Sequence, residues 1–353
     1  MPNRILITGG AGYIGSHTCK ILSQAGYEPV TLDNLSLGHR DFVRWGPLVV
    51  ADIADTETVR HVCRQYDVAA AIHFAAYAAV GESIKEPAKY YANNVVGSHR
   101  LLEGCRAAGV STVLFSSSCA VYGNPSKQPI SEDTATNPIN PYGASKLMVE
   151  RMLADYGVGY DLRWSALRYF NACGADANGE VGELRDDETH LIPRALMWIQ
   201  GYLENFQIFG SDYPTPDGTA IRDYIHVTDL AEAHLLALRA LLQGGPSGIF
   251  NVGTGRGYSV KEVVDEIERT TGVSIPIAYA ERRPGDPPAL VAEPTRAAAA
   301  LGFRPQNSDI GTIIRTAWEW HQTAHPAKAR ASRAATAKDS APAAKAEARK
   351  AKN

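Results

Sequence analysis

Paired cysteines, membrane-length apolar runs and an excess of one charge are all missing from this chain of 353 residues. The five cysteines (Cys19, Cys63, Cys105, Cys119, Cys173) are odd in number, widely spread and form no CxxC pair. That pattern excludes a disulfide framework, argues against a zinc site, and fits reduced thiols in a cytosolic protein. No metal site is expected. No apolar run is long enough to span a bilayer, and no charged-then-apolar leader precedes the first strand pattern, so the chain reads as cytoplasmic with no membrane partner. The net charge of −3 suits neither a nucleic-acid coat nor a membrane-surface binder. It conceals an asymmetry: residues 324–353 carry eight Lys/Arg against Asp339 and Glu347, so this tail is +6 and the rest of the chain −9. Large apolar residues are almost missing from the tail too, and an Ala/Lys/Arg-rich composition over 323–353 predicts a disordered appendage.

What is present is an alternation. Arg4–Thr8 is a short apolar run stopped by Gly9-Gly10, the pattern of a buried strand. A helix is expected over Tyr13–Ala25, strands over Pro29–Asp33, Pro47–Ile53 and Val68–Ala76, and a helix over Thr56–Tyr66. Tyr90–Ala108 and Tyr142–Tyr156 read as helices, Thr112–Ser118 and Trp164–Tyr169 as strands. Nearly all-apolar strands alternating with helices predict an α/β fold with a parallel sheet covered on both faces. After Asn171 the alternation turns irregular, with glycine- and proline-bearing loops at Ala175–Glu188 and Ser211–Gly218. The expected division is a larger unit over 1–171, to which 221–252 returns, and a smaller one from 172–220 and 253–322.

Two constellations carry chemistry. Tyr142 and Lys146 lie four residues apart, one turn along a helix that Asn140-Pro141 opens. An ammonium beside a phenol stabilises the phenolate, so Tyr142 can serve as a general base. Tyrosines are common here, but of the sixteen only Tyr142 has a lysine at this spacing. Gly9-Gly10-Ala11-Gly12-Tyr13-Ile14-Gly15 follows the first strand and opens the first helix. Gly9 permits the tight turn, Gly12 lets backbone approach a pyrophosphate, and Gly15 lets helix pack on strand. Asp33 ends the second strand at the separation expected of an acid that binds a ribose hydroxyl pair and repels a 2′-phosphate, which predicts NAD. Asp52-Ile53, closing the third strand, reads as an adenine contact or an ordinary strand end.

The glycine spacing and the Tyr142–Lys146 pair resemble the extended short-chain dehydrogenase/reductases. Thr8–His17, Phe115–Gly123, Pro141–Glu150, Leu167–Asn171, Phe209–Thr219, Arg222–Val227 and Asn251–Val260 are together similar to the UDP-glucose 4-epimerase family, collinearly from about residue 4 to 322. The resemblance implies a Rossmann-type doubly wound parallel sheet with a smaller C-terminal α/β substrate-binding domain. It implies interconversion of UDP-galactose and UDP-glucose through a 4-keto intermediate, with hydride passing to and from bound NAD. A homodimer is also implied. Tyr142 would be the base, Lys146 would hold the nicotinamide ribose and depress the tyrosine pKa, and Ser118 would hydrogen-bond the reacting hydroxyl. Asn34, Phe74, Ala75, Ala76, Asn93 and Phe170 fall with Gly9, Gly12, Tyr13, Ile14, Gly15, Asp33, Asp52 and Ile53 at cofactor-contacting positions. Asn171, Arg222 and Arg283 match the residues on the diphosphate, where guanidinium forks suit paired phosphate oxygens. Phe209 and Asp286 fall near the uracil and its ribose; Tyr224, His190 and Leu191 are further substrate-side positions.

The chain departs from the family pattern in three places. Ala78 replaces a cofactor-contacting lysine, His190 an asparagine near the diphosphate, and Leu290 stands at the gate residue, intermediate between those that admit N-acetyl sugars and those that do not. Alternatives are a 4-epimerase of UDP-arabinose/UDP-xylose or UDP-N-acetylglucosamine, and a nucleotide-sugar dehydratase or decarboxylase. The last two need an acid after the strand-end serine, where this chain has Cys119-Ala120. A non-catalytic NAD sensor would not require Ser118, Tyr142 and Lys146. His73 and His226, in apolar runs, read as buried structural histidines.

Overall fold

The computed structural model describes residues 3–283 and 286–324; of the tail expected over 323–353, positions 323 and 324 close the last helix and the rest lies outside the described residues. Through the first half run β1 (Arg4–Thr8), α1 (Tyr13–Gln24), β2 (Glu28–Asp33), β3 (Leu48–Val50), α2 (Thr56–Gln65), β4 (Ala70–His73), α3 (Val80–Lys85), α4 (Pro87–Tyr90), α5 (Ser98–Ala108), β5 (Thr112–Ser118), α6 (Pro141–Tyr160) and β6 (Arg163–Tyr169). Then follow β7 (Asn171–Cys173), α7 (Leu191–Ile199), β8 (Gln207–Phe209), β9 (Ile221–His226), α8 (Val227–Leu242), β10 (Gly248–Val252), β11 (Gly257–Ser259), α9 (Val260–Thr271), β12 (Ala278–Ala280), β13 (Ala289–Leu290), α10 (Thr295–Leu301) and α11 (Ile310–Ala324).

Seven strands in the order β3-β2-β1-β4-β5-β6-β10, all parallel, form the main sheet. It is the Rossmann-like doubly wound arrangement expected from the near-continuous apolar strands. One face buries Ile5, Ile7, Ile72 and Leu114 against Leu22 of α1 and Leu230, Leu235 and Leu238 of α8. The other buries Leu6, Val30, Leu32, Val113 and Phe115 against Val59 and Val62 of α2, Leu101 of α5, and Val149 and Leu153 of α6. Alternate strand residues thus serve opposite layers.

Within 221–252 the chain divides its loyalties. β10 pairs with β6 on the large sheet, whereas β9 pairs with β11, β13 and β7 in a separate small sheet. A third core, built on Ile192, Leu196, Tyr224, Val263, Val264, Ile313 and Ile314, joins α7, α9 and α11 to that small sheet. Between Tyr91 and Gly97 the helix that precedes α5 winds as a π-helix, where one continuous α-helix was expected. Such a bulge re-aims side chains, here Asn93 and Asn94, without ending the helix.

Candidate active site

In a doubly wound sheet the loops at the carboxyl ends of the strands share one edge. That edge gathers Gly9 after β1, Asp33 closing β2, Phe74-Ala75-Ala76 after β4, Ser118 closing β5, and Phe170-Asn171 after β6.

The glycine turn fits a dinucleotide cradle. Gly9 has φ +73°, and a Cβ there would lie 2.6 Å from the Ala75 amide nitrogen, so the turn and the β4 loop touch backbone to backbone. A Cβ on Gly15 would fall 2.2 Å from the Gly9 carbonyl oxygen. No side chain caps α1 at Gly12 and no acidic residue sits in its first turn, which leaves its N-terminal amides and positive dipole end for an anion. The Asp33 carboxylate accepts from Ala11 N at 3.1 Å and Leu35 N at 2.8 Å, which fixes it while sparing acceptor sites. Burial raises its pKa against these two bonds. Asn34 Nδ2 donates to Asp52 Oδ2 at 2.9 Å, bringing those two residues together. Ile53 is buried, with its Cδ1 2.9 Å from where a Gly97 Cβ would be.

Beneath the turn runs a buried ladder that sequence reasoning missed. Thr8 Oγ1 meets His73 Nδ1 at 2.7 Å, His73 Nε2 meets Ser98 Oγ at 2.8 Å, and Ser98 donates to Asn94 O at 2.5 Å. Burial lowers His73 to about 3, so it is the neutral structural histidine expected. Asn94 holds the β4 loop through Tyr77 N and O, takes Asn93 Nδ2 at 3.0 Å, and donates to Ser145 Oγ on α6 at 3.1 Å. Phe74 turns into the core beside His234, ring centroids 4.7 Å apart; Ala76 lines the half-buried loop and Ala78 is exposed.

Asn140 caps α6, accepting from Gly143 N at 2.8 Å, and Pro141 fills its first turn. Tyr142 and Lys146 are buried side by side on the face toward β5. The Lys146 ammonium donates to Ser116 O at 2.7 Å and stands 4.9 Å from the Phe115 ring and 5.8 Å from the Tyr142 ring. The expected lowering of the tyrosine pKa by this lysine is opposed by burial. Burial pushes the Tyr142 phenol well above its ordinary value, outweighing a hydrogen bond with Ser118, and burial pulls Lys146 down to about 7. A dry pocket penalises both charged forms. Ser116 contacts Tyr169 Oη at 2.5 Å and Ser117 contacts Glu150 Oε1 at 2.5 Å, leaving Ser118 as the serine next to the phenol.

Phe170, Leu290 and Cys119 pack in one small apolar cluster, so the gate position adjoins the serine strand. Arg222, beside Leu290 in register, donates from Nη1 to Ile221 O at 2.7 Å and from Nη2 to Pro287 O at 2.8 Å, and pairs with Asp286. Arg283 stacks on Phe209, Cζ to ring centroid 4.3 Å. Asn171 and Tyr224 are register partners between β7 and β9, Tyr224 buried in the third core with its phenol raised by burial. His190 stands at the N-cap position of α7 ahead of Leu191, without a side-chain capping bond, and its Nδ1 lies 2.9 Å from Glu188 and 3.0 Å from Glu183. Burial alone would lower it; the two carboxylates raise it to about 9. Those three side chains have metal-ligand types within 4.8 Å of one another, but Arg185 also binds Glu183 at 3.0 Å and a protonated imidazole offers no lone pair. The cluster reads as an ion-pair network beside Tyr13, whose hydroxyl donates to Gly174 O at 2.6 Å while Ile14 packs on the first core. All five cysteines are free and buried. His226 is buried as well, capping α8 through Thr228 N.

Residues 5–253 match the profile of the NAD dependent epimerase/dehydratase family. A UDP-glucose 4-epimerase of Rhizobium leguminosarum bv. trifolii is 50% identical over 317 residues, 90% of this chain and 97% of that one. The crystal structure of UDP-glucose 4-epimerase from Brucella ovis in complex with NAD superposes with TM-score 0.88 at 57% identity, covering 90% of this chain and 98% of its own. That of the Bifidobacterium longum enzyme in complex with NAD+ and UDP gives 0.86 at 36%, covering 92% and 99%. A glycine cradle, a serine–tyrosine–lysine cluster and a match of this extent agree: the chain belongs to the NAD dependent epimerase/dehydratase family.

Proposed function

We infer that the chain is an isomerase that interconverts UDP-galactose and UDP-glucose with bound NAD. The observation that carries this reading is the placement of Tyr142, Lys146 and Ser118 around the end of β5 with Cys119-Ala120 next in line. Elimination of water or loss of carbon dioxide asks for a further acid or base there, whereas epimerisation asks only for one proton taken and one returned. The relatives of about half identity over nine-tenths of the chain support the same activity.

Gly9, Gly12 and Gly15 with the α1 N-terminus would hold the cofactor pyrophosphate, Asp33 the adenosine ribose, and Asn34, Asp52 and Ile53 the adenine side. Lys146 would hold the nicotinamide ribose, and Ala75, Ala76, Asn93, Phe170 and the backbone of Phe74 would be further cofactor contacts. When bound, NAD supplies a hydride acceptor for C4 of the sugar and, oxidised, a positive ring. Tyr142, as phenolate, takes the 4-hydroxyl proton while Ser118 holds that oxygen. Burial raises the phenol pKa, so a positive charge placed beside it would favour the phenolate. Among the described residues Arg222 makes three bonds, which leave its Nε hydrogen and one Nη1 hydrogen, and with Arg283 and Asn171 it would grip the diphosphate while the 4-keto sugar turns. Phe209, Asp286, Tyr224, His190 and Leu191 would complete the uridine-diphosphate side. Tyr142 then returns the proton to the 4-oxygen, and the C4 hydrogen is restored on the opposite face of the sugar.

The large sheet with α8 and β10 would form the NAD unit, and 172–220, β9 and 253–322 the UDP-sugar unit. A cytoplasmic homodimer is the proposed form; exposed Val96 and Met148 support the dimer by offering apolar surface, and no helix among the described residues is long and apolar enough to cross a membrane. Purified protein incubated with each UDP-sugar and no added NAD, its products resolved by chromatography, tests the activity. Conversion of UDP-galactose to UDP-glucose is expected. Failure to interconvert any 4-epimer pair refutes it.

A further inference from the structure

Glu150 lies one turn beyond Lys146 on α6, and neither it nor Arg168 on β6 has more than 3% of its side chain exposed. Its carboxylate accepts three bonds: Oε1 from Ser117 Oγ at 2.5 Å and Arg168 Nε at 2.9 Å, and Oε2 from Arg168 Nη2 at 2.6 Å. The guanidinium lies 4.8 Å from the Tyr122 ring, and the Tyr122 hydroxyl donates to Asn251 Oδ1 at 2.7 Å. A buried ion pair is a poor way to gain stability, since apolar side chains of the same volume serve as well or better. Its location is more informative than its strength. Three consecutive residues of β5 are each tied to different partners: Ser116 O to Lys146, Ser117 Oγ to Glu150, and Ser118 to Tyr142.

We propose that Glu150 is a positioning residue for the reaction, pinning the serine end of β5 to α6 and supplying the counter-charge that Lys146 otherwise lacks. The inference rests on the epimerase reading for its kinetic part alone. Lys146 is faced by the Phe115 ring and Ser116 carbonyl from β5, by neutral His73 from β4, and by the Tyr142 phenol from its own helix. Burial drives the ammonium toward deprotonation and Glu150 opposes it. Arg168, one partner further away through Glu150, becomes an unbalanced positive charge if that carboxylate is lost.

The test is the titration of Lys146 in the full chain, read by NMR of isotope-labelled lysine and assigned against Lys146→Met, together with steady-state kinetics. In Glu150→Gln the Lys146 midpoint should fall by about one pH unit or more, and kcat should fall about tenfold or more with KM for the UDP-sugar within about threefold, a loss confined to the transition state. In Glu150→Gln/Arg168→Met, which removes both charges, folding should recover while the midpoint still lies below wild type. An unchanged midpoint in folded Glu150→Gln overturns the proposal. If that single variant does not fold, the same midpoint in the double variant decides the matter. A wild-type protein with no epimerase activity would refute the proposed function and leave the titration to judge the coupling.

Discussion

Tyr142→Phe removes one oxygen atom and with it the base. The expected outcome is a loss of turnover of at least about 10³-fold, within the range for removing a general acid–base group, with bound nucleotide content unchanged by absorbance of the purified protein. His190 gives a second prediction. Glu183 and Glu188 raise it to about 9, above its ordinary value of about 6.5, so folding binds a proton. The contribution to stability is full below pH 6.5 and is lost as pH rises through 9. If His190 lends its charge to the diphosphate, UDP affinity measured by calorimetry falls across the same window, and His190→Asn flattens that dependence. At this scale the sequence told much about residues close along the chain. Tyr142 and Lys146 were legible because a helix turns four residues into neighbours. Glu150–Arg168 and Thr8–His73–Ser98 were not, because their partners lie 18, 65 and 25 residues away and only the sheet brings them together.

Among elements, α6 carries the chemistry, and its first turn is set from outside. A Cβ on Gly143 would fall 2.5 Å from the Ala120 carbonyl oxygen, so α6 presses against the turn that follows β5. Gly143→Ala should therefore move Tyr142 relative to Ser118 and cost activity by more than its effect on melting temperature would explain. Asn140→Ala, which removes the cap alone, should cost about 1 kcal/mol in a denaturant titration. A result in which both variants lose stability and activity in proportion would contradict this distinction. An element with a near-continuous apolar run and a clear end was read to the residue: β5 over Thr112–Ser118. The π-helix at Tyr91–Gly97 and the short strands β9 and β13 were not. The first keeps helical composition, and the other two exist through pairing with each other and with β7 and β11.

For the whole molecule, the alternation of strand and helix fixed the large sheet and its layers, because a parallel strand buried on both faces must be apolar throughout. The smaller sheet was hidden. Its strands are two to six residues long and drawn from segments as distant as Asn171 and Leu290. Across the junction, Cys119, next after the serine strand, packs in one cluster with Leu290, the register partner of Arg222.

The central claim is that one hydrogen leaves C4 as hydride and returns to C4 of the same sugar from the opposite side. Incubating the protein with UDP-galactose deuterated at C4, in ordinary water and without added nucleotide, tests it directly by mass spectrometry and NMR of the product. The account predicts UDP-glucose that keeps its deuterium at C4. Washout of the label into water would contradict it.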